Sequence, residues 1–363
     1  MKYLIFLLLI LFPFGQLVRI NLGNSIVLHP NDVVVFFFLL LTLRKTNGPL
    51  VKPLRLFLAF ILLSLIFNLG KFHNFELLVS ALYPLRFFVY AGLFFVFKDL
   101  SVNLKIFTRR WLLIGIFIVA ITGLIQYIFL PNVAFLSALN WDDHYYRLIG
   151  TFFDPGFTGA ILVLGLLIAP FHAQVLVYLA LALTYSRASY LMFLVAFATI
   201  SYYKRSLKIF LIAALILGAT ILFLPRYPGE GSNLARANSI LARIHNWQQS
   251  IRVWQTSPIF GIGFNSYRYV VGVNPQSHSG GADSSILLVL ATTGLLGLLA
   301  YIYLLLTMWR LASHSILFKA SFLGILVHSF FNNTLFYPWV MEWLWILLAL
   351  QPSDSRPDPS PQS

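Results

Sequence analysis

Cysteine is absent from the 363 residues of this chain, which excludes disulfides, iron–sulfur clusters and thiolate metal sites and leaves the redox compartment open. Charged residues make up only 10% of the sequence, and acid is the rarer sign, with 11 Asp and Glu against 25 Lys and Arg. Polar stretches long enough to build a soluble domain are also missing. The composition is 59% hydrophobic and the mean hydropathy is +0.84, more apolar surface than a water-soluble chain of this size could bury. The net charge of +14 therefore reads as contact with lipid headgroups and as a topology signal, and no nucleic-acid partner is expected.

What is present is a succession of apolar runs. They predict helices near 2–14, 30–43, 54–70, 75–97, 111–130, 156–170, 173–184, 188–203, 207–224, 284–308, 314–331 and 337–351. The expected fold class is all-α and integral to the membrane: a bundle of about 12 transmembrane helices with one long outer loop, 225–283, containing an amphipathic helix. Residues 1–351 form a single polytopic membrane domain in this reading, and the Pro-, Ser- and Asp-rich tail 352–363 is expected to be disordered. No small-x-small cleavage site follows the first apolar run, which is read as a helix and not as a signal peptide.

Placing the N-terminus in the cytoplasm puts 15 of the 25 basic residues on inner segments, including every Lys but Lys71, and places the C-terminus inside as well. Of the nine on the outer side, eight are Arg. Lysine of this kind anchors topology, whereas clustered arginine suits bidentate recognition of phosphate. Three outer segments follow: Pro131–Pro155, with Asp142-Asp143-His144; the tight turn Thr184–Ser189; and the long loop. Within the loop, Ile240, Ile244, Trp247, Ile251 and Trp254 form one apolar stripe over 235–256, with Arg236 and Arg243 sharing a face beside it. Such a helix would lie along the outer membrane boundary, its arginines towards headgroups or a bound lipid phosphate. Arg86 falls inside an apolar helix, where a charge is costly unless paired or used. It is a candidate to line a lipid cavity or to pair with Glu342. Tyr337-Pro338-Trp339 reads as part of an interface belt, and Gly294 and Gly297 as sites of close helix packing.

Four stretches resemble the O-antigen ligase/polymerase superfamily of bacterial polytopic membrane glycosyltransferases. Arg147-Leu-Ile-Gly-Thr-Phe-Phe-Asp-Pro155 resembles its Arg-x-x-Gly-Thr-Phe-x-x-Pro segment, and Thr184-Tyr-Ser186-Arg187-Ala188 its Thr-x-Ser-Arg-Gly/Ala turn. Arg243-x-x-x-Trp247, followed by Pro258-Ile-Phe-Gly261-Ile-Gly263-Phe264, resembles a third block. Asp283-Ser284-Ser285 with Gly294-Leu-Leu-Gly297 resembles the segment that enters the next helix. Together they span about half the chain. It departs from the pattern where Gly156 replaces the usual Asn and where Asp283-Ser284 replace the His-Asn of ligases, with His278 the nearest histidine.

The resemblance implies transfer of a glycan from a polyprenyl-pyrophosphate carrier to a glycan or lipid acceptor hydroxyl, on the outer face of the bacterial cytoplasmic (inner) membrane, among membrane lipids. That chemistry needs neutralisation of the leaving pyrophosphate and benefits from a general base. The outer segments are rich in arginine and poor in carboxylates, which favours an arginine clamp over a metal, and no cofactor is expected. Arg187 and Arg243, with Arg147 as a third, are assigned to the pyrophosphate, and Asp283 or His278 to the base. Each has a plainer alternative. Arg187 could reach headgroups, Arg243 could lie on a solvated helix face, and Asp283 could be a helix N-cap. Asp142-Asp143-His144 reads as a polar loop tip and not as a metal site. The rival function is a transporter or flippase of lipid-linked oligosaccharide, which would call for repeated halves and mid-membrane polar groups on several helices.

Overall fold

The computed structural model describes residues 1–23, 26–42, 47–227, 231–272 and 281–351. The tail 352–363 and His278 lie outside the described residues. Apolar sequence with few helix breakers gives a chain of helices: α1 (Lys2–Leu11), α2 (Pro30–Thr42), α3 (Val51–Ile66), α4 (Asn74–Phe97), α5 (Val102–Phe129), α6 (Pro155–Ile168), α7 (Phe171–Ala182), α8 (Arg187–Tyr203) and α9 (Leu207–Phe223). The amphipathic α10 (Asn238–Thr256) and the short α11 (Tyr267–Val270) precede α12 (Ser285–Leu311), α13 (Ile316–His328) and α14 (Pro338–Ala349). Among the described residues the only paired strands are β1 (Ile20–Asn21) and β2 (Val27–Leu28), an antiparallel hairpin with Ile20 opposite Leu28.

Every predicted apolar run coincides with a helix. Three of them, α4, α5 and α12, are long and apolar enough to cross a membrane, and the other apolar helices are shorter. The protein is an all-α membrane protein. The largest boundary difference is in α5, which starts at Val102 and not near 111. Lys105, Arg109 and Arg110 broke the apolar pattern there, yet long basic side chains are good helix formers and continue the helix beyond its apolar part. The amphipathic helix starts three residues later than predicted, so Arg236 precedes it and does not share its face.

The core forms where α8 packs on α13, α12 on α3, and α14 and α2 on α4. All twelve residues of α14 are buried, Trp339, Trp343 and Trp345 among them. Trp339 is only 1% exposed, and Tyr337 stacks on Phe157 with ring centroids 3.9 Å apart. These aromatics therefore fill the core and do not form an interface belt.

α12 is broken at Gly294, whose φ of 68° is the left-handed region open to glycine. A Cβ there would lie 2.2 Å from the carbonyl oxygen of Ile259, so the gap admits backbone from the long loop and is not a helix–helix contact. Leu295 N–H donates to Pro258 O at 2.9 Å, and Ile262 and Gly263 N–H donate to Ala291 O and Thr292 O at 3.1 and 3.0 Å. Gly261 meets α12 equally closely, its missing Cβ 2.3 Å from the Thr292 carbonyl carbon. α3 completes the dock, with Asn68 Nδ2 donating to Gly261 O (3.0 Å) and Phe264 N–H to Ser64 Oγ (3.1 Å). The Pro258–Phe264 block thus anchors the C-terminal end of α10.

Candidate active site

The segments 146–156, 184–189, 225–227, 231–247 and 281–285 meet at one end of the bundle. Gln126 of α5 fixes the first, its Oε1 accepting from Ile149 N–H (2.9 Å) and Gly150 N–H (3.3 Å). Tyr146, Phe153 and Tyr185 all have left-handed φ (48°, 57° and 49°), an uncommon conformation for bulky residues. These turns stand immediately before Arg147, Asp154 and Ser186. Asp154 caps α6 by accepting from Phe157 N–H (2.8 Å), and Ser186 caps α8 by accepting from Ser189 N–H (3.3 Å). Ser189 Oγ donates to Gly156 O (3.0 Å), bringing the two helix N-termini, and the positive ends of their dipoles, together.

The arginines gather around the 184–187 turn. Arg147 Nε donates to Thr184 O (3.0 Å) and its Nη2 to Tyr185 O (3.4 Å), the carbonyl that also accepts from Arg236 Nη2 (3.3 Å). Burial first, and then the Arg236 guanidinium, push Arg147 down to about 9, so it remains charged at neutral pH. Arg187 Nη1 donates to Leu234 O (3.2 Å) and Arg236 O (3.0 Å), and its Nη2 to Ser239 Oγ. It therefore ties the start of α10 to α8. Arg243, one turn beyond Ser239, makes no hydrogen bond among the described residues; its guanidinium lies over the Phe331 ring, 5.8 Å from the centroid. Arg147 and Arg187 both feel the charge of Arg243. Among the described residues none of Arg147, Arg187 and Arg243 forms an ion pair.

α10 also positions Asp283. Asn246 lies one turn beyond Arg243 on the same face; its Oδ1 accepts from Asp283 N–H (2.9 Å) and its Nδ2 donates to Gly281 O (3.4 Å). The N-cap of α12 is Ser284, which accepts from Leu287 N–H, and not Asp283. The Asp283 carboxylate is thereby free of a capping role and makes no hydrogen bond among the described residues. Burial holds it up at about 6, against the opposing pull of Arg243, while Asp142 and Asp154 push it further up. It lies on the wall of a cavity of about 650 Å³ whose polar lining includes Asp142, Asp154, Arg19, Arg268 and Asn332. Arg86 is on that wall too. Its partner is Asp32, at 2.8 Å, and not Glu342, which instead accepts from Asn31 Nδ2 at 2.9 Å.

Sequence reasoning had not singled out Arg236 as a contact of the 184–187 turn, Asn246 as the positioner of Asp283, or His328. The last is fully buried, with Nδ1 2.7 Å from Thr334 Oγ1 and Nε2 3.3 Å from both Ser189 Oγ and Asn332 Nδ2, and it joins α13 to α8 behind the site. Asn332 also supplies a side-chain amide over Gly156, where a Cβ would lie 3.2 Å from its Nδ2. Asn246 was within reach of the helical pattern, being three residues from Arg243. No sequence signal linked His328 or Asn332 to the site. Asp142, Asp143 and His144 form no metal-binding group among the described residues, where no cluster of three or more His, Asp or Glu occurs.

A comparison of the chain with curated proteins gives no match. Residues 172–302, from the start of α7 into α12, match the family model described as O-antigen ligase. That stretch contains Arg187, Arg236, Arg243, Asn246, Asp283 and the broken α12, whereas Arg147 and Asp154 precede it. The match supports the resemblance to the O-antigen ligase/polymerase superfamily over the part of the chain that it covers.

Proposed function

We propose that the protein transfers a glycan from a polyprenyl-pyrophosphate carrier to an acceptor hydroxyl at the outer face of the bacterial cytoplasmic membrane, as a polymerase-like or ligase-like enzyme. About twelve spans place both termini in the cytoplasm and the arginine site outside. In support, Arg187 stands at the first residue of α8 while Tyr203, at its last, faces Lys319 with Nζ 4.5 Å from the ring centroid. Arginine site and lysine are thus separated by the length of the helix, about 25 Å.

The observation that carries the reading is the pairing on α10 of Arg243, whose N–H groups are uncommitted among the described residues, with Asn246, which holds Asp283 at the cavity wall. In the reaction, Asp283 takes the proton of the acceptor hydroxyl as its oxygen bonds to the anomeric carbon. The anomeric C–O bond to phosphate breaks and its electron pair leaves on polyprenyl pyrophosphate. Guanidinium groups, not a metal, receive that charge: Arg243 by direct contact, with Arg147 and Arg187 framing the site. The purified protein, given lipid-pyrophosphate-linked oligosaccharide and EDTA, is expected to yield extended or transferred glycan and free polyprenyl pyrophosphate. Arg243→Ala should lower turnover at least a hundredfold. Full activity in that variant overturns the clamp, and movement of the lipid across the bilayer without covalent product overturns the transferase.

A further inference from the structure

Beside the polar cavity lies an apolar slot of about 320 Å³ between α2 and α4, with Val33 and Phe36 on one wall and Leu85 and Val89 on the other. Its rim faces out of the bundle, Phe36 being 46% and Leu85 51% exposed, apolar surface of the kind that faces lipid in a membrane protein. The slot shares three residues, Val27, Tyr83 and Arg86, with the 650 Å³ polar cavity. One guanidinium therefore stands where an apolar slot opening to the bilayer meets a polar chamber.

Arg86 is held but not used up. Both of its hydrogen bonds leave from Nη2, to Asp32 Oδ2 and to Val27 O of β2. Among the described residues Nε and Nη1 keep their N–H groups. Asp32 is fixed independently, accepting from His29 N–H (2.9 Å) and from the Tyr90 hydroxyl (3.0 Å), so the carboxylate orients the guanidinium. An amphiphile with a long hydrocarbon chain and an anionic phosphate head matches both halves of this arrangement.

Resting on the transferase reading, we propose that the slot between α2 and α4 is the lateral portal by which the carrier lipid of the donor reaches the polar chamber. The isoprenoid chain lies between Val33 and Val89, and Nε and Nη1 of Arg86 make the first contact with the diphosphate. The occupant is the donor's carrier and not a bulk phospholipid.

The test uses the full chain in nanodiscs with long-chain polyprenyl diphosphate bearing a photoreactive group near its head. Label is expected on α2 and α4 around Val33 and Val89, displaced by unlabelled carrier but not by excess phosphatidylglycerol. Val33→Trp fills the slot from its exposed rim; it is expected to cut labelling and raise KM for the carrier-linked donor about tenfold at unchanged kcat. A donor on a short-chain carrier should keep its KM in that variant. The double variant Asp32→Asn/Arg86→Gln keeps the pair neutral and should lower labelling about tenfold. Label confined to other helices, displacement by phosphatidylglycerol, or an unchanged KM in Val33→Trp overturns the portal. Label on α2 and α4 without glycan transfer sustains the portal and overturns the transferase reading instead.

Discussion

Arg187→Ala distinguishes an arginine that only holds substrate from one that also builds the site. The substitution removes three hydrogen bonds from one guanidinium, to Leu234 O, Arg236 O and Ser239 Oγ, all just before or within the first turn of α10. Fully buried, each charge-assisted bond would contribute about 1.5 kcal/mol or more. Arg187 is partly exposed, so solvent screening brings the sum to about 2 kcal/mol. That corresponds to about thirtyfold more frequent local opening of the segment. Hydrogen exchange reads this directly, because Arg236 N–H donates to Asn233 O (3.3 Å) and Ile240 N–H to Ala237 O (2.9 Å). Their amides should exchange about thirtyfold faster in Arg187→Ala, while those of α13 stay unchanged. Arg187→Lys keeps the charge but cannot span three acceptors, and should behave nearly like the Ala variant. Since α10 carries Arg243 and Asn246 from that first turn, turnover should fall with the loosening. Exchange within about twofold of the unmodified protein would refute this reasoning and leave Arg187 a substrate contact alone.

Three further outcomes follow from the geometry. A base must be deprotonated to act, and Asp283 is held up at about 6; kcat/KM should therefore be flat above that pH and fall about tenfold per unit below it. Arg243→Gln removes a cation that favours the carboxylate, so the acidic limb should move to higher pH in the residual activity; a limb that stays in place would separate the two residues. Gly294→Ala should destabilise the fold by about 3 kcal/mol, from left-handed backbone strain of about 1–2 kcal/mol and displacement of the Pro258–Ile259 backbone from α12. A thermal midpoint equal to that of the unmodified protein would contradict the docking.

Much of the architecture was legible because it depends on local properties. Apolar runs fix helices wherever they fall, and each predicted run became one. The boundary error at Val102 arose because Lys105, Arg109 and Arg110 look like the end of a span while being good helix formers. The motifs at Arg147, Arg187, Arg243 and Asp283 were readable for a similar reason: short turns and caps constrain neighbouring residues, and spacing records that constraint.

Composition by itself determined a membrane-embedded helical chain with arginine concentrated in a few loops, since burial of apolar surface and scarcity of charge need no partner to be specified. Only the tertiary structure decided what each arginine does. A guanidinium offers the same donors to a carbonyl, a carboxylate or a phosphate, so the sequence could not tell that Arg187 is spent on Leu234 and Arg236, that Arg86 turns to Asp32 and not Glu342, or that Arg243 is left uncommitted among the described residues. Those choices are made by helices far apart in the chain packing side by side, as when Asn246 of α10 reaches the backbone of Asp283 and Asn332 comes to lie over Gly156. Hydrophobic periodicity carries no information about such pairings, because it repeats within one helix and is silent about which helix lies next to it.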